Sequence, residues 1–141
     1  MKVRSAMHKG VEWVSPDTPI SMVATKMRQL DIGAIPVGEN DRLIGMVTDR
    51  DIAVKAIPDG KDVSKLTARD IMSQGVIWCR DSDDVKEAAQ IMGRNQVRRL
   101  PVIDANKRMV GMLSLGDISR ATPQRVAAEV TKAVSDHHAS T

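Results

Sequence analysis

The sequence contains no Phe and no Tyr, and only two Trp. Platforms that stack exposed bases need such rings, so a nucleic-acid reader is not expected. One Cys in 141 residues excludes an internal disulfide and a cysteine-rich zinc site. No run approaches the roughly 18 apolar residues of a membrane span, and the N-terminus lacks a signal-like apolar core. A soluble, cytoplasmic protein without membrane partners is expected. The net charge of +3 is dispersed, with acids between the bases, whereas nucleic acid calls for a denser basic stripe. The three His lie outside the repeated motifs described below, and no nucleophile–base pair can be assembled. Neither enzymatic activity nor a metal site is expected. With rings scarce, the nine Met join Val, Ile and Ala as core filler.

What the chain does have is a duplication. GMVTDRDIA (45–53) returns as GMLSLGDIS (111–119). A shift of 65 lays Arg4 on Arg69, Met7 on Met72, Trp13 on Trp78, Met27 on Met92 and Pro36 on Pro101. After a one-residue insertion the shift is 66, and Gly45 meets Gly111 while Asp51 meets Asp117. Two repeats are too few for an open solenoid, so they are expected to pair about a pseudo-twofold axis.

Each repeat reads β-α-β-β-α, an α+β class. Residues 3–7 form a helical lead-in, Val11 to Val14 a strand, and Asp17 a cap for a helix over 19–31. That helix carries the stripe Ile20, Val23, Ala24, Met27, matched by Val85, Ala88, Ala89, Met92. Strands at 34–37 and 43–47 follow, and the motif turns the second into a helix ending near Pro58. The expected division is repeat 1 over 1–58, a polar linker over 59–67, repeat 2 over 68–121, and a C-terminal helix and tail over 122–141. The last helix would start at Thr122-Pro123. Its apolar stripe is Val126, Val130, Ala133, Val134 and His137.

Ile35-Pro36-Val37 and Leu100-Pro101-Val102, each followed by a closing G-h-h-S/T-x-x-D (h apolar), resemble the CBS domain. The tandem pair resembles a Bateman module of the stand-alone two-CBS type, over about residues 1–121. That resemblance implies a regulatory module that binds an adenosine-containing ligand in clefts between the repeats and signals to a partner by conformational change. The ligand would be AMP, ADP or ATP, with S-adenosylmethionine or NAD as relatives. It further implies a homodimer and a separate, unidentified effector protein.

The residues themselves allow two readings. S/T-x-x-D at a strand-to-helix turn is a capping box, in which hydroxyl and carboxylate satisfy free backbone N–H groups. A carboxylate there can also accept both hydroxyls of a ribose, with the hydroxyl residue near phosphate. The alternative to the sensor is therefore an interaction scaffold whose motifs only cap helices. By resemblance, one site combines Ser114 and Asp117 with Val11, Glu12, Val14, Ile32 and Gly33. The other combines Thr48 and Asp51 with Val76, Ile77 and Val97. Arg98 and Arg99 stand where the first copy has Gly33-Ala34, and Arg99 is expected on phosphate at the Ser114/Asp117 site. Lys55 and Arg120 are further phosphate candidates. Glu12 would repel a polyphosphate unless it points away. Cys79 aligns with Val14 and is expected to be an inert core thiol. His8 is read as a solvated loop residue, and His137-His138 as tail residues rather than metal ligands. Trp13 and Trp78 are expected in the core or at a subunit contact.

Overall fold

The computed structural model describes residues 1–121 and 131–135. It is an α+β chain that divides into two compact units, Glu12–Val76 and Met1–Val11 together with the chain from Ile77 onward. The units cut across the repeats. The opening helix α1 (Val3–Ala6) belongs with the second repeat's strands, and the second repeat's own lead-in belongs with the first repeat's.

In the contiguous unit, helix α2 (Ile20–Leu30) buries Ile20, Val23 and Met27 against the hairpin of β1 (Ala34–Glu39) and β2 (Arg42–Thr48). The hairpin is antiparallel with a bulge between Val37 and Gly38. β2 runs straight into α3 (Asp49–Asp51), which continues as a wide π turn over Ile52–Ala56. Helix α4 (Ala68–Ile71) buries Ala68 and Ile71 in the same core. Full burial of each large aliphatic side chain here is worth about 1.5–3 kcal/mol.

In the composite unit, β3 (Cys79–Arg80) lies parallel to β4 (Arg99–Ile103), which pairs antiparallel with β5 (Met109–Ser114). The register shift between Val102 and Ile103 repeats the bulge of the first hairpin. Helix α5 (Val85–Asn95) buries Val85, Ala88, Ala89 and Met92, and α6 (Leu115–Ala121) buries Ile118. Val3 of α1 is fully buried in this core. Residues 131–135 are helical, and Val134 joins the same core. The expected helix start at Thr122-Pro123, and Val126, Val130, His137 and His138, lie outside the described residues.

Several expectations are corrected. Asp17 does not cap α2. The helix begins after Pro19, whose ring carries no acceptor to cap with, and the Ile20 N–H donates instead to the Leu66 carbonyl. That bond also changes the reading of 59–67. The segment forms a 3-10 turn at Val63–Lys65, and its apolar residues Val63 and Leu66 pack on the core of the contiguous unit. In the second copy an acid does cap, as the Asp84 carboxylate accepts from the Lys86 N–H. Val11 to Val14 is not a strand. It contributes one parallel bridge, Val14 to Val37. Trp13 and Trp78 are exposed rather than core, and the Arg80 guanidinium lies 5.8 Å from the Trp78 ring centroid.

Cys79 is fully buried. Burial, assisted by the negative charge of Asp83, pushes its thiol from 9.0 up to about 12. The thiolate is the reactive species. An aromatic disulfide reagent should therefore label Cys79 only at the rate of unfolding, and labelling of the folded protein at the rate of a free thiol would contradict this. Above pH 9 the unfolded thiol ionises while the folded one keeps its proton, so this group costs stability as pH rises from 9 toward 12.

Candidate functional site

Both copies of the motif close a strand and open a helix, and both build the same reciprocal pair of bonds. In the first copy the Asp51 N–H donates to Thr48 Oγ1 at 3.0 Å, and the Thr48 N–H donates to Asp51 Oδ2 at 2.9 Å. In the second the Asp117 N–H donates to Ser114 Oγ at 3.0 Å, and the Ser114 N–H to Asp117 Oδ2 at 2.8 Å. Capping is thus performed in full, and it uses one oxygen of each carboxylate. The hydroxyls accept in these bonds, which leaves each O–H proton for another acceptor.

The second oxygens carry the interest. Asp117 is only 3% exposed, and its Oδ1 faces the Arg120 guanidinium and, at 3.6 Å, His8 Nδ1. Asp51 is 9% exposed, and its Oδ1 is 3.2 Å from Lys55 Nζ, which also donates to the Ile71 carbonyl. Each buried carboxylate therefore meets a cationic group on a long side chain that reaches solvent. A ligand that brings hydroxyl donors can take the cation's place at Oδ1 without disturbing the cap.

The strand before each motif supplies the surroundings. Arg99 is the cross-strand partner of Ser114, as Ala34 is of Thr48. Opposed residues project from the same face, so Arg99 and Ser114 share one. The backbone is equivalent in both copies, since the Leu115 N–H donates to the Arg98 carbonyl and the Asp49 N–H to the Gly33 carbonyl. The guanidiniums of Arg98 and Arg99 are exposed and make no hydrogen bond or ion pair among the described residues.

The remaining expected residues divide between the units. Val11 shares a unit with Ser114 and Asp117, whereas Glu12, Val14, Ile32 and Gly33 belong to the other. Val76 shares a unit with Thr48 and Asp51, whereas Ile77 and Val97 do not. Glu12 is engaged by Lys26, with Nζ 3.2 Å from Oε2. Val14 is buried in its own core, and Ile32, Ile77 and Val97 pack partly on theirs.

Sequence reasoning missed three features. His8 is exposed, as expected of a loop residue, yet it bridges Met112 by two backbone bonds and so stands over Asp117. Its counterpart Ser73 bridges Met46 in the same way. The repeated glycines exist for the lead-ins. A Cβ on Gly111 would meet Met7 Sδ at 2.6 Å, and one on Gly45 would meet Met72 Sδ at 2.5 Å. The pairing was signalled by Met and Gly recurring together, but nothing in the spacing said which Met meets which Gly. Asp49 was not among the expected site residues, yet its carboxylate covers Gly33.

The CBS domain model matches residues 3–56 and again 68–123, most of the chain. This protein belongs to the CBS-domain family. Hypoxic response protein 1 of Mycobacterium tuberculosis is 36% identical over 132 residues, covering 93% of this chain and 92% of that one. Its crystal structure, with two coordinated zinc ions, superposes with a TM-score of 0.79 over 87% of this chain and all of that one. The CBS domain-containing protein YhcV of Bacillus subtilis is 38% identical over 117 residues, covering 83% of this chain and 82% of its own. The CBS domain pair of protein MJ0100, solved with 5′-methylthioadenosine and S-adenosyl-L-methionine, is 27% identical with a TM-score of 0.74, covering 86% and 94%. Among the described residues no three His, Cys, Asp or Glu side chains are placed to hold a metal ion. Nor is any described helix long and apolar enough to cross a membrane.

Proposed function

We propose that this CBS pair is a regulatory sensor of an adenosine-containing ligand. The ligand's ribose is held by the second oxygen of Asp117 or Asp51, and its phosphate by Arg99 and the Ser114 hydroxyl. The observation that carries the reading is the division of labour within each carboxylate. Oδ2 is committed to the cap, while Oδ1 is buried and met by side chains that can be displaced, Arg120 and His8 at Asp117 and Lys55 at Asp51. A pure cap has no need of that second, ionic contact. The adenosyl ligands of the MJ0100 pair support the ligand class. AMP, ADP and ATP are the first candidates, with NAD and S-adenosylmethionine as relatives. The sensor acts in the cytoplasm as a homodimer, and a separate effector protein reads its state. For that, the two states must differ in ligand affinity.

Asp117→Asn and Asp51→Asn separate sensor from scaffold. Asparagine can keep the cap by accepting through its single oxygen, but it then turns an NH2 donor toward the ribose position, where donors already point. Titration calorimetry of the wild type with the five nucleotides should show saturable micromolar binding. Each Asn variant should lose affinity tenfold or more at its site, about 1.4 kcal/mol, with its melting temperature little changed. Flat traces for all five compounds on folded wild type would favour the scaffold.

A further inference from the structure

The two motif sites share a backbone and differ in charge. Opposite Ser114 on the strand stands Arg99, and Arg120 and the His8 ring lie on Asp117, against a single carboxylate, with Arg98 one residue before Arg99. Beside Thr48 and Asp51 the strand offers no cation, because Ala34 replaces Arg99 and Gly33 replaces Arg98. The space over Gly33 is taken by an acid. A Cβ built there would lie 3.0 Å from Asp49 Oδ2 and 3.6 Å from Asp49 Oδ1. Asp49 is held in place, since its Oδ1 accepts from the Arg50 N–H at 2.8 Å and its own N–H donates to the Gly33 carbonyl. Its other charged neighbours along the chain are Arg50, Asp51 and Lys55, and Lys55 is already on Asp51. The first copy thus has a carboxylate over the position of Arg98 and an alanine at the position of Arg99.

We infer that the two sites sort adenosyl ligands by charge. The Ser114/Asp117 site takes a nucleotide with two or more phosphates, and the Thr48/Asp51 site takes an adenosyl compound that carries no phosphate. The inference rests on the adenosyl reading above. Guanidiniums fork onto phosphate oxygens, so unpaired Arg98 and Arg99 suit a polyphosphate. A phosphate brought beside Thr48 would meet the Asp49 carboxylate with no strand cation to offset it. A neutral thioether or a positive sulfonium meets no such repulsion. The residues between hydroxyl and carboxylate in the motif, Asp49-Arg50 in one copy and Leu115-Gly116 in the other, therefore carry the specificity.

The test is titration calorimetry of the full chain with ATP and with 5′-methylthioadenosine. Wild type should bind one of each per chain, without competition. Arg99→Ala touches neither cap and should weaken ATP at least tenfold while leaving 5′-methylthioadenosine unchanged. Ala34→Arg combined with Asp49→Asn should add a second ATP equivalent, and the new side-chain amide keeps an oxygen to accept from the Arg50 N–H. Should the double variant fail to fold by circular dichroism, the Arg99→Ala arm decides alone. If the two compounds compete for the same sites and Arg99→Ala affects both or neither, sorting is overturned and the adenosyl reading stands. If neither compound binds folded wild type, both are overturned.

Discussion

Gly111→Ala should cost about 1–3 kcal/mol of unfolding free energy, the usual range for forcing a methyl into a filled space. Gly45→Ala should cost distinctly less. Neither glycine is in the left-handed region, so backbone conformation does not separate them and space decides. At Gly45 the three atoms nearest the added carbon all belong to the Met72 side chain, Sδ at 2.5 Å, Cγ at 3.0 Å and Cβ at 3.2 Å. A thioether chain has three rotatable bonds and can yield. At Gly111 the carbon would meet Met7 Sδ at 2.6 Å and also the His8 carbonyl at 2.7 Å. That carbonyl accepts from the Met112 N–H, so yielding means breaking the bridge. Loss of glycine's unfolded-state freedom returns up to about 1 kcal/mol in both variants. Urea unfolding of each glycine variant, alone and with Met72→Ala or Met7→Ala, checks the argument as a double-mutant cycle. Met72→Ala should relieve most of the Gly45 strain, while Met7→Ala should relieve only part of that at Gly111. Equal relief at both would remove the role assigned to the His8 carbonyl.

Deleting residues 1–9 should damage the second repeat's strands rather than the first's. The lead-in gives the composite unit Val3 at 0% exposure, with Ala6 and Met7 packed on the same cluster. It also supplies the Val3 and Arg4 N–H donors to the Asp83 and Asp81 carbonyls and the His8–Met112 bridge. Loss of one buried aliphatic with the cavity it leaves costs roughly 2–5 kcal/mol. Amide exchange should therefore accelerate across 100–118 while protection over 35–47 holds. Faster exchange in 35–47 alone would mean that the lead-in supports its own repeat instead.

That deletion also shows where the sequence stopped being informative. Periodicity found both long helices, because Ile20, Val23 and Met27 are the buried face of α2, with Ala24 of the expected stripe exposed, and Val85, Ala88, Ala89 and Met92 are that of α5. The repeated hairpins were legible for the same reason, as apolar runs around Pro36 and Pro101 end at turns. The start of α2 was not legible, because its first N–H is satisfied by the distant Leu66 carbonyl rather than by a local acid. The affiliation of the lead-ins was hidden too. A repeat read along the chain assigns residues 1–11 to the first copy, whereas packing assigns them by which Met fills which glycine notch. At the motifs, the capping bonds were legible from spacing alone. The partners of Oδ1 were legible only in part. Lys55 and Arg120 follow at helical distance, but His8 arrives from more than a hundred residues away.

The exchange of lead-ins sets an order on the ribosome. The unit Glu12–Val76 is one continuous stretch and can close as soon as it has emerged. Residues 1–11 emerge before it, yet their partners on β4, β5 and α6 extend to Ala121. At about 5–20 residues per second, the nascent chain carries Val3 and Met7 without their partners for roughly 2–9 s after the first unit is out. A segment made before the first unit docks only after that unit has closed.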